Sequence, residues 1–317
     1  GAYRLHVNGV AVGIGPGRNE ATSRAAPQSP FLDTFEVSHL LGSDGVLHVA
    51  VQCYSMNAEK NAGLLASVVA IYADATTQRF DTTTNGSQWL TFNASAAFGK
   101  STWNVTTGPP KEGGMYDTPQ ENLDHRFWPG AEWRDGAMTG SVQWAPPGAG
   151  NPRLATGAPL HRKEAAPVMQ FTAAAVRVTE VRVNGTANGT VIKGRYLVDL
   201  GGEVQGGLTL VVPAVAVVTG SVIEVRLAEA LLNNGSVRFC TSAGPQYIEH
   251  WTMGHLRDAD GSSGSGSGGG GGGDNVFDFG QEYKEFRWAE VLGWPVDTAG
   301  ALTTANVGAW IVRYPLG

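Results

Sequence analysis

The chain has 317 residues, a net charge of −6 and 42% hydrophobic residues, with only 16% Asp, Glu, Lys and Arg, against roughly a quarter in an average soluble domain. An acidic chain without a Lys or Arg cluster lacks the footprint that phosphate backbones require, and no apolar run reaches the roughly 20 residues of a membrane span, so neither nucleic acid nor a membrane span is expected. Nine Trp and 44 Gly describe a folded chain with ample core material and many turns, and its length suggests two domains.

The dominant hydrophobic period is two. In Tyr3-Arg-Leu-His-Val-Asn8 the apolar Tyr3, Leu5 and Val7 alternate with Arg4, His6 and Asn8, and Gly9 follows as a turn, which predicts a half-buried strand entering a hairpin. Leu47-His-Val-Ala-Val-Gln-Cys53 repeats the alternation. The run over 64–72 fits a helix by periodicity alone, but Val68, Val69 and Ile71 are β-branched and predict a strand.

Residues 104–152 break the pattern, being rich in Trp, Pro, Gly and acids. They read as long surface loops with a domain junction near Pro146-Pro147-Gly148. Further short strands are predicted over 173–183, 207–212 and 222–227, where Ile223, Val225 and Leu227 share a face, and over 286–292 and 310–312. Gly261-Ser-Ser-Gly-Ser-Gly-Ser-Gly and the glycines to 273 can bury no apolar surface, so this tract reads as a flexible insertion. The sequence after it is too short for a new domain and is expected to complete the preceding sheet. The fold class is therefore all-β, as two consecutive antiparallel β-sandwiches of jelly-roll type over 1–148 and 149–317.

Asn-X-Ser/Thr occurs at Asn85, Asn93, Asn104, Asn184, Asn188 and Asn234, where about two would arise by chance, and this excess predicts N-glycosylation and a secreted, cell-surface or luminal location. The first residue is Gly1 rather than Met, so a leader peptide would lie outside this sequence. More native chain is expected before Tyr3, because losing a first strand would leave an open sheet edge. Cys53 and Cys240 each sit in an apolar run and are expected as two buried free thiols rather than a disulfide.

Several segments in order resemble one family. Tyr3-Arg-Leu-His-Val-Asn-Gly-Val-Ala-Val-Gly13 with Gly15-Pro16, Asp33-Thr34 and the segment 37–41 resembles the opening sandwich of α-L-rhamnosidases. Val198-Asp-Leu-Gly-Gly-Glu-Val-Gln-Gly206, Ile223-Glu-Val-Arg-Leu-Ala-Glu-Ala-Leu231, Asn234-Gly235 and Glu285-Phe-Arg-Trp-Ala-Glu-Val-Leu-Gly293 follow its second sandwich. The resemblance spans nearly the whole chain and implies an accessory, non-catalytic portion of a glycoside hydrolase that removes terminal α-L-rhamnosides with inversion. The family's catalytic (α/α)₆ barrel would begin about where these residues stop. The implied partners are that barrel and a carbohydrate or glycoconjugate, and no catalytic residue carries over. The alternative is an extracellular carbohydrate-binding or structural glycoprotein without activity, so whether the chain belongs to an enzyme stays open.

Inverting hydrolysis needs two carboxylates roughly 6.5 to 9.5 Å apart. Asp117, Glu121 and Asp124, or Glu132 and Asp135, are possible sources, set against solvated loop acids or turn caps; Glu285 reads as the wet face of a strand. Sugar binding suits the Trp-rich stretch better, because aromatic faces stack on a pyranose while acids and amides bond its hydroxyls. Trp128, Trp133, Tyr116 and Asp117 are the candidates, with Trp103 nearby, and the competing reading places these Trp residues at a domain interface. His250 and His255 are five apart and have no third ligand nearby, so no metal is expected, and no cofactor motif is present: Gly201-Gly202 and Gly206-Gly207 lack the Lys-Ser/Thr of a phosphate loop.

Overall fold

The computed structural model describes residues 2–15, 31–54, 64–82, 89–98, 122–128, 132–134, 136, 144–146, 161–162, 168–181, 194–240, 247–254, 274–278 and 284–313. Chain order begins with β1 (Ala2–Val7) and β2 (Val10–Gly15), joined as predicted by a two-residue turn in which Asn8 and Gly9 have φ of 45° and 78°. Asn and Gly tolerate that left-handed backbone, and its twist matches the flanking strands. The Asn8 side chain anchors the turn: Oδ1 accepts from the His48 N–H at 2.7 Å, and Nδ2 donates to the Leu40 carbonyl at 2.7 Å.

A short β3 (Phe31–Leu32) precedes β4 (Val49–Tyr54), which pairs with β1 and completes a three-stranded antiparallel sheet in the order β2-β1-β4. With a partner on each side, β1 is the centre of its sheet and leaves no open edge at Tyr3. The β-branched run forms β5 (Ser67–Ile71), and β6 (Thr77–Asp81) pairs with it as a separate hairpin.

The remaining strands are β7 (Leu123–Asp124), β8 (His161–Arg162), β9 (Met169–Ala174), β10 (Arg177–Glu180), β11 (Tyr196–Val212), β12 (Val222–Ala228), β13 (Ile248–Thr252), β14 (Asn275–Phe277), β15 (Lys284–Leu292) and β16 (Val307–Arg313). Apart from β8, which pairs with β3, they form one nine-stranded sheet. Its path is β7-β13-β12-β15-β11-β16-β9, with β10 and β14 also bonded to β11. The 17-residue β11 can serve so many neighbours because its ladder with β15 breaks between Asp199 and Val204, where Gly201 has φ 82°. An irregularity of this kind bends a strand and re-aims its two halves. One short helix, α1 (Val296–Ala299), is the α-helix among the described residues.

The chain is all-β. Two pairings depart from the antiparallel expectation, since β7 joins β13 and β3 joins β8 in parallel. The tract 261–273 lies outside the described residues, but the sequence after it completes the preceding sheet as expected, β14 on β11 and β15 between β11 and β12. Ile223, Val225 and Leu227 all have no exposed surface, as alternation predicts for one face of β12. They pack in one core with Phe277, Phe286, Ala289, Val291 and Ala309.

Alternation along β1 holds at Val7, which is 1% exposed, and is inverted in the residues before it. Tyr3 and Leu5 are only half-buried, while Arg4 is 5% and His6 1% exposed, and Gln52, opposite Arg4 on β4, is 7% exposed. The polar face of the small sheet is the one that meets the large sheet, which period-two reasoning alone assigns to water. The two thiols are also corrected. Both cysteines are free and exposed, because Cys53 sits opposite Tyr3 on the outer face of an edge strand.

Candidate functional site

The inverted face of β1 builds a polar seam against the large sheet. Arg4 donates from Nη1 to the backbone carbonyl of Asp278 at 2.6 Å, and its guanidinium lies 4.6 Å from the Trp310 ring centroid. Asp278 directly follows β14, and its carboxylate receives both Nη atoms of Arg134 at 2.5 and 2.6 Å. Such a bidentate fork is the strongest arrangement available to this pair. One residue thus ties β1, the turn Glu132–Arg134 and β14 together.

His6 lies among these groups, its ring edge-on to Trp133 at 5.6 Å. Burial, reinforced by the charges of Arg4 and Arg134, pushes its pKa down to about 3, so it is neutral at ordinary pH. Burial alone would raise the Asp278 carboxyl, but hydrogen bonds and charge from Arg134, with Arg4 behind, outweigh it and hold the group below the usual carboxylate range. The ring contacts continue from Trp133 to Trp128 at 6.0 Å and from Trp128 to Phe98 at 5.3 Å. Nearby, His125 packs edge-on to Phe277 at 4.7 Å and contacts the Val276 carbonyl through Nε2 at 3.1 Å. Burial lowers the pKa of His125 too, against the partial opposition of that contact.

Trp128 and Trp133 take part in this packing. They are 4% and 8% exposed and belong to the core, so neither ring face is open to a sugar. A Trp-rich stretch looks like a loop platform in sequence, but these two side chains fill the join between sheets. Tyr116, Asp117, Trp103, Glu121, Asp135 and His255 lie outside the described residues, as do Asn85, Asn104, Asn184 and Asn188. Asn93 and Asn234 are exposed, and in each the side-chain oxygen accepts the N–H of the serine two residues on at 3.1 Å.

Asp124 and Glu285 are engaged locally. Asp124 caps the turn His125–Phe127 by accepting the Arg126 N–H at 3.0 Å and pairs with the Arg126 guanidinium at 2.6 Å. Glu285 is exposed and accepts from Gln205 at 3.3 Å. His250 is 3.5 Å from Glu224 across the β12–β13 ladder, and among the described residues no group of three His, Cys, Asp or Glu could hold a metal.

Two buried ion pairs were not visible in the sequence. Glu290, 0% exposed, accepts from Arg195 at 2.8 and 2.5 Å and lies 3.6 Å from Arg226; Lys284 pairs with Glu249, both buried. No local pattern could reveal them, because each partner is distant in sequence. In the seam, the carboxylate among the described residues is occupied by Arg134, so its chemistry is that of a clamp rather than of proton transfer.

Among the described residues no helix is long and apolar enough to cross a membrane. Neither a family model nor a curated protein matches the sequence. Solved structures do match it. The α-L-rhamnosidase from Dictyoglumus thermophilum aligns at TM-score 0.55 and 16% identity, over 98% of this chain and 29% of that one. The Streptomyces avermitilis α-L-rhamnosidase complexed with L-rhamnose aligns at 0.56 and 19%, over 99% and 26%. The native α-L-rhamnosidase from Aspergillus terreus aligns at 0.55 and 17%, over 100% and 32%. This chain thus spans less than a third of each. At these identities the likeness is one of fold, and the fold of this chain is that of a β-sheet portion of the α-L-rhamnosidases.

Proposed function

We propose that this chain is an accessory, non-catalytic portion of an α-L-rhamnosidase-like glycoside hydrolase, built as two consecutive sandwiches over 1–148 and 149–317, with the short β7 reaching from the first to the edge of the second. The parent would hydrolyse terminal α-L-rhamnosides with inversion, and these modules would buttress its catalytic barrel. The observation that carries the reading is the end-to-end fold likeness to enzymes three to four times as long. The occupied carboxylates agree with it: Asp278, Glu290, Glu249 and Asp124 are each committed to an Arg or Lys. The exposed Asn93 and Asn234 support a secreted, glycosylated product.

The mass of the native polypeptide after glycan removal tests this reading. A value three to four times the 33.2 kDa of this chain, with cleavage of a chromogenic α-L-rhamnoside by the native protein and none by these 317 residues alone, is expected. A native mass near 33.2 kDa would overturn it and leave the second reading, an extracellular carbohydrate-binding or structural glycoprotein, which the exposed acceptor asparagines favour equally.

A further inference from the structure

Two described asparagines are followed by a glycine with left-handed backbone, Asn8 by Gly9 at φ 78° and Asn234 by Gly235 at φ 81°. Their side chains are held in opposite ways. That of Asn8 is pulled away from Gly9: Nδ2 donates to the carbonyls of Leu40 at 2.7 Å and Val46 at 3.2 Å, and Oδ1 accepts from the distant His48. The Gly9 N–H donates to the Arg134 carbonyl at 2.9 Å, and Arg134 is clamped on Asp278 in the seam. Asn234 instead sits at the exposed tip of a hairpin closed by the bridge between Leu231 and Val237. Its Oδ1 accepts the Ser236 N–H at 3.1 Å, so the side chain folds back over the intervening Gly235 peptide. The Gly235 N–H reaches the Leu232 carbonyl at 2.8 Å, a bond within the tip itself. A Cβ on Gly235 would meet nothing within 4 Å among the described residues, so the space around it is open.

We propose that Asn234 is a site of spontaneous deamidation through Gly235, and that the fold protects Asn8 from the same reaction. In the first step the Gly235 nitrogen attacks Cγ of Asn234. The new N–Cγ bond forms, the Cγ–Nδ2 bond breaks, and Nδ2 leaves as ammonia with the proton given up by the Gly235 nitrogen. Water then opens the succinimide ring at either carbonyl, giving aspartate or isoaspartate at 234. The reaction needs no enzyme, only a side-chain carbonyl carbon held near a following nitrogen that no Cβ shields. The Ser236 N–H adds a donor to the oxygen that gains negative charge during the attack. Freeing the Gly235 nitrogen takes a local opening at an exposed tip, whereas freeing that of Gly9 takes a parting of the hairpin from the turn Glu132–Arg134, and local openings are far more frequent than wider ones. Isoaspartate also lengthens the backbone beside Ser236, whose Oγ accepts from Arg195 at 3.2 Å, so the altered tip adjoins the buried Arg195–Glu290 pair. Nδ2 of Asn234 is the atom that would carry a glycan, and glycosylation and deamidation compete for it. The conversion goes beyond the accessory role and does not depend on it.

The test is peptide mapping by mass spectrometry on the 317-residue chain, produced in a host that adds no N-glycan and incubated folded in mildly alkaline buffer, with isoaspartate read by its methylation by an isoaspartyl methyltransferase. The Asn234 peptide is expected to accumulate aspartate and isoaspartate, faster as the pH is raised, while the Asn8 peptide converts at least about a hundredfold more slowly. In urea the two should convert at comparable rates, because the tertiary contacts that separate them are gone. Gly235→Ala, at an open and exposed position, is expected to slow conversion at Asn234 about tenfold by shielding the attacking nitrogen. An Asn234 that keeps its amide in the folded chain while converting in urea, equal rates at Asn8 and Asn234 in the folded chain, or an unchanged rate in Gly235→Ala would each overturn the assignment. None of these results touches the accessory reading, which the native mass and activity decide.

Discussion

Lowering the pH from 6.5 to 4 is expected to destabilise this protein chiefly through His6. In the unfolded chain a histidine titrates near 6.5, whereas in the seam burial and the charges of Arg4 and Arg134 hold it to about 3, with Asp278 as the opposing charge. Below pH 6.5 the unfolded chain therefore takes up a proton that the native state refuses. Stability falls by up to about 1.36 kcal/mol per pH unit, or ~3 kcal/mol between pH 6.5 and 4. That is a large fraction of the 5–15 kcal/mol typical of a folded domain. His125, also lowered by burial, acts in the same direction. Asp278 has a depressed pKa, so its stabilisation is present above the unfolded carboxyl value and is lost as pH falls through the still lower folded value, below this window. Urea unfolding followed by Trp fluorescence across this window, on the parent and on His6→Gln, measures the effect. The variant should lose ~3 kcal/mol less than the parent. Parallel curves, or an NMR titration of the His6 ring with a midpoint near 6.5, would refute the reasoning.

Other perturbations act through the packing. Gly206→Ala would drive a Cβ into the Trp310 carbonyl across the β11–β16 ladder; backbone on both sides cannot yield, so a loss of about 3 kcal/mol or more in thermal or urea unfolding is expected. Trp133→Ala, in the core beside His6 and Trp128, should cost about 3–5 kcal/mol in the same assay. Glu290→Gln removes a charge that Arg195 and Arg226 share at a fully buried site and should destabilise by about 3–5 kcal/mol, read as a shifted urea midpoint with unchanged slope. Expressed through a secretory pathway, Asn93→Gln and Asn234→Gln should each lower the glycoprotein mass by one glycan.

The sequence readily exposed features that depend on near neighbours. The Asn8-Gly9 hairpin arises from two residues that accept left-handed backbone, and the strand character of 67–71 arises from β-branching. The buried face of β12 needed only the spacing of Ile223, Val225 and Leu227, and the return of the chain to the same sheet after the Gly/Ser tract needed only the shortness of the C-terminal segment. The same local reasoning missed the burial of Arg4 and His6 in β1, because alternation records which residues share a face and not which face is covered.

The all-β class and the family resemblance were thus properties of the sequence by itself, since period, turn residues and spaced motifs are all local. Which side of β1 is buried, which acids are neutralised and where Trp128 and Trp133 point were decided only by tertiary structure. Arg4 and His6 can be buried because Asp278, some 270 residues away, brings an acceptor and because Trp133 and Trp310 exclude water around them. No window along β1 contains that compensation, and it exists only where the two sheets meet.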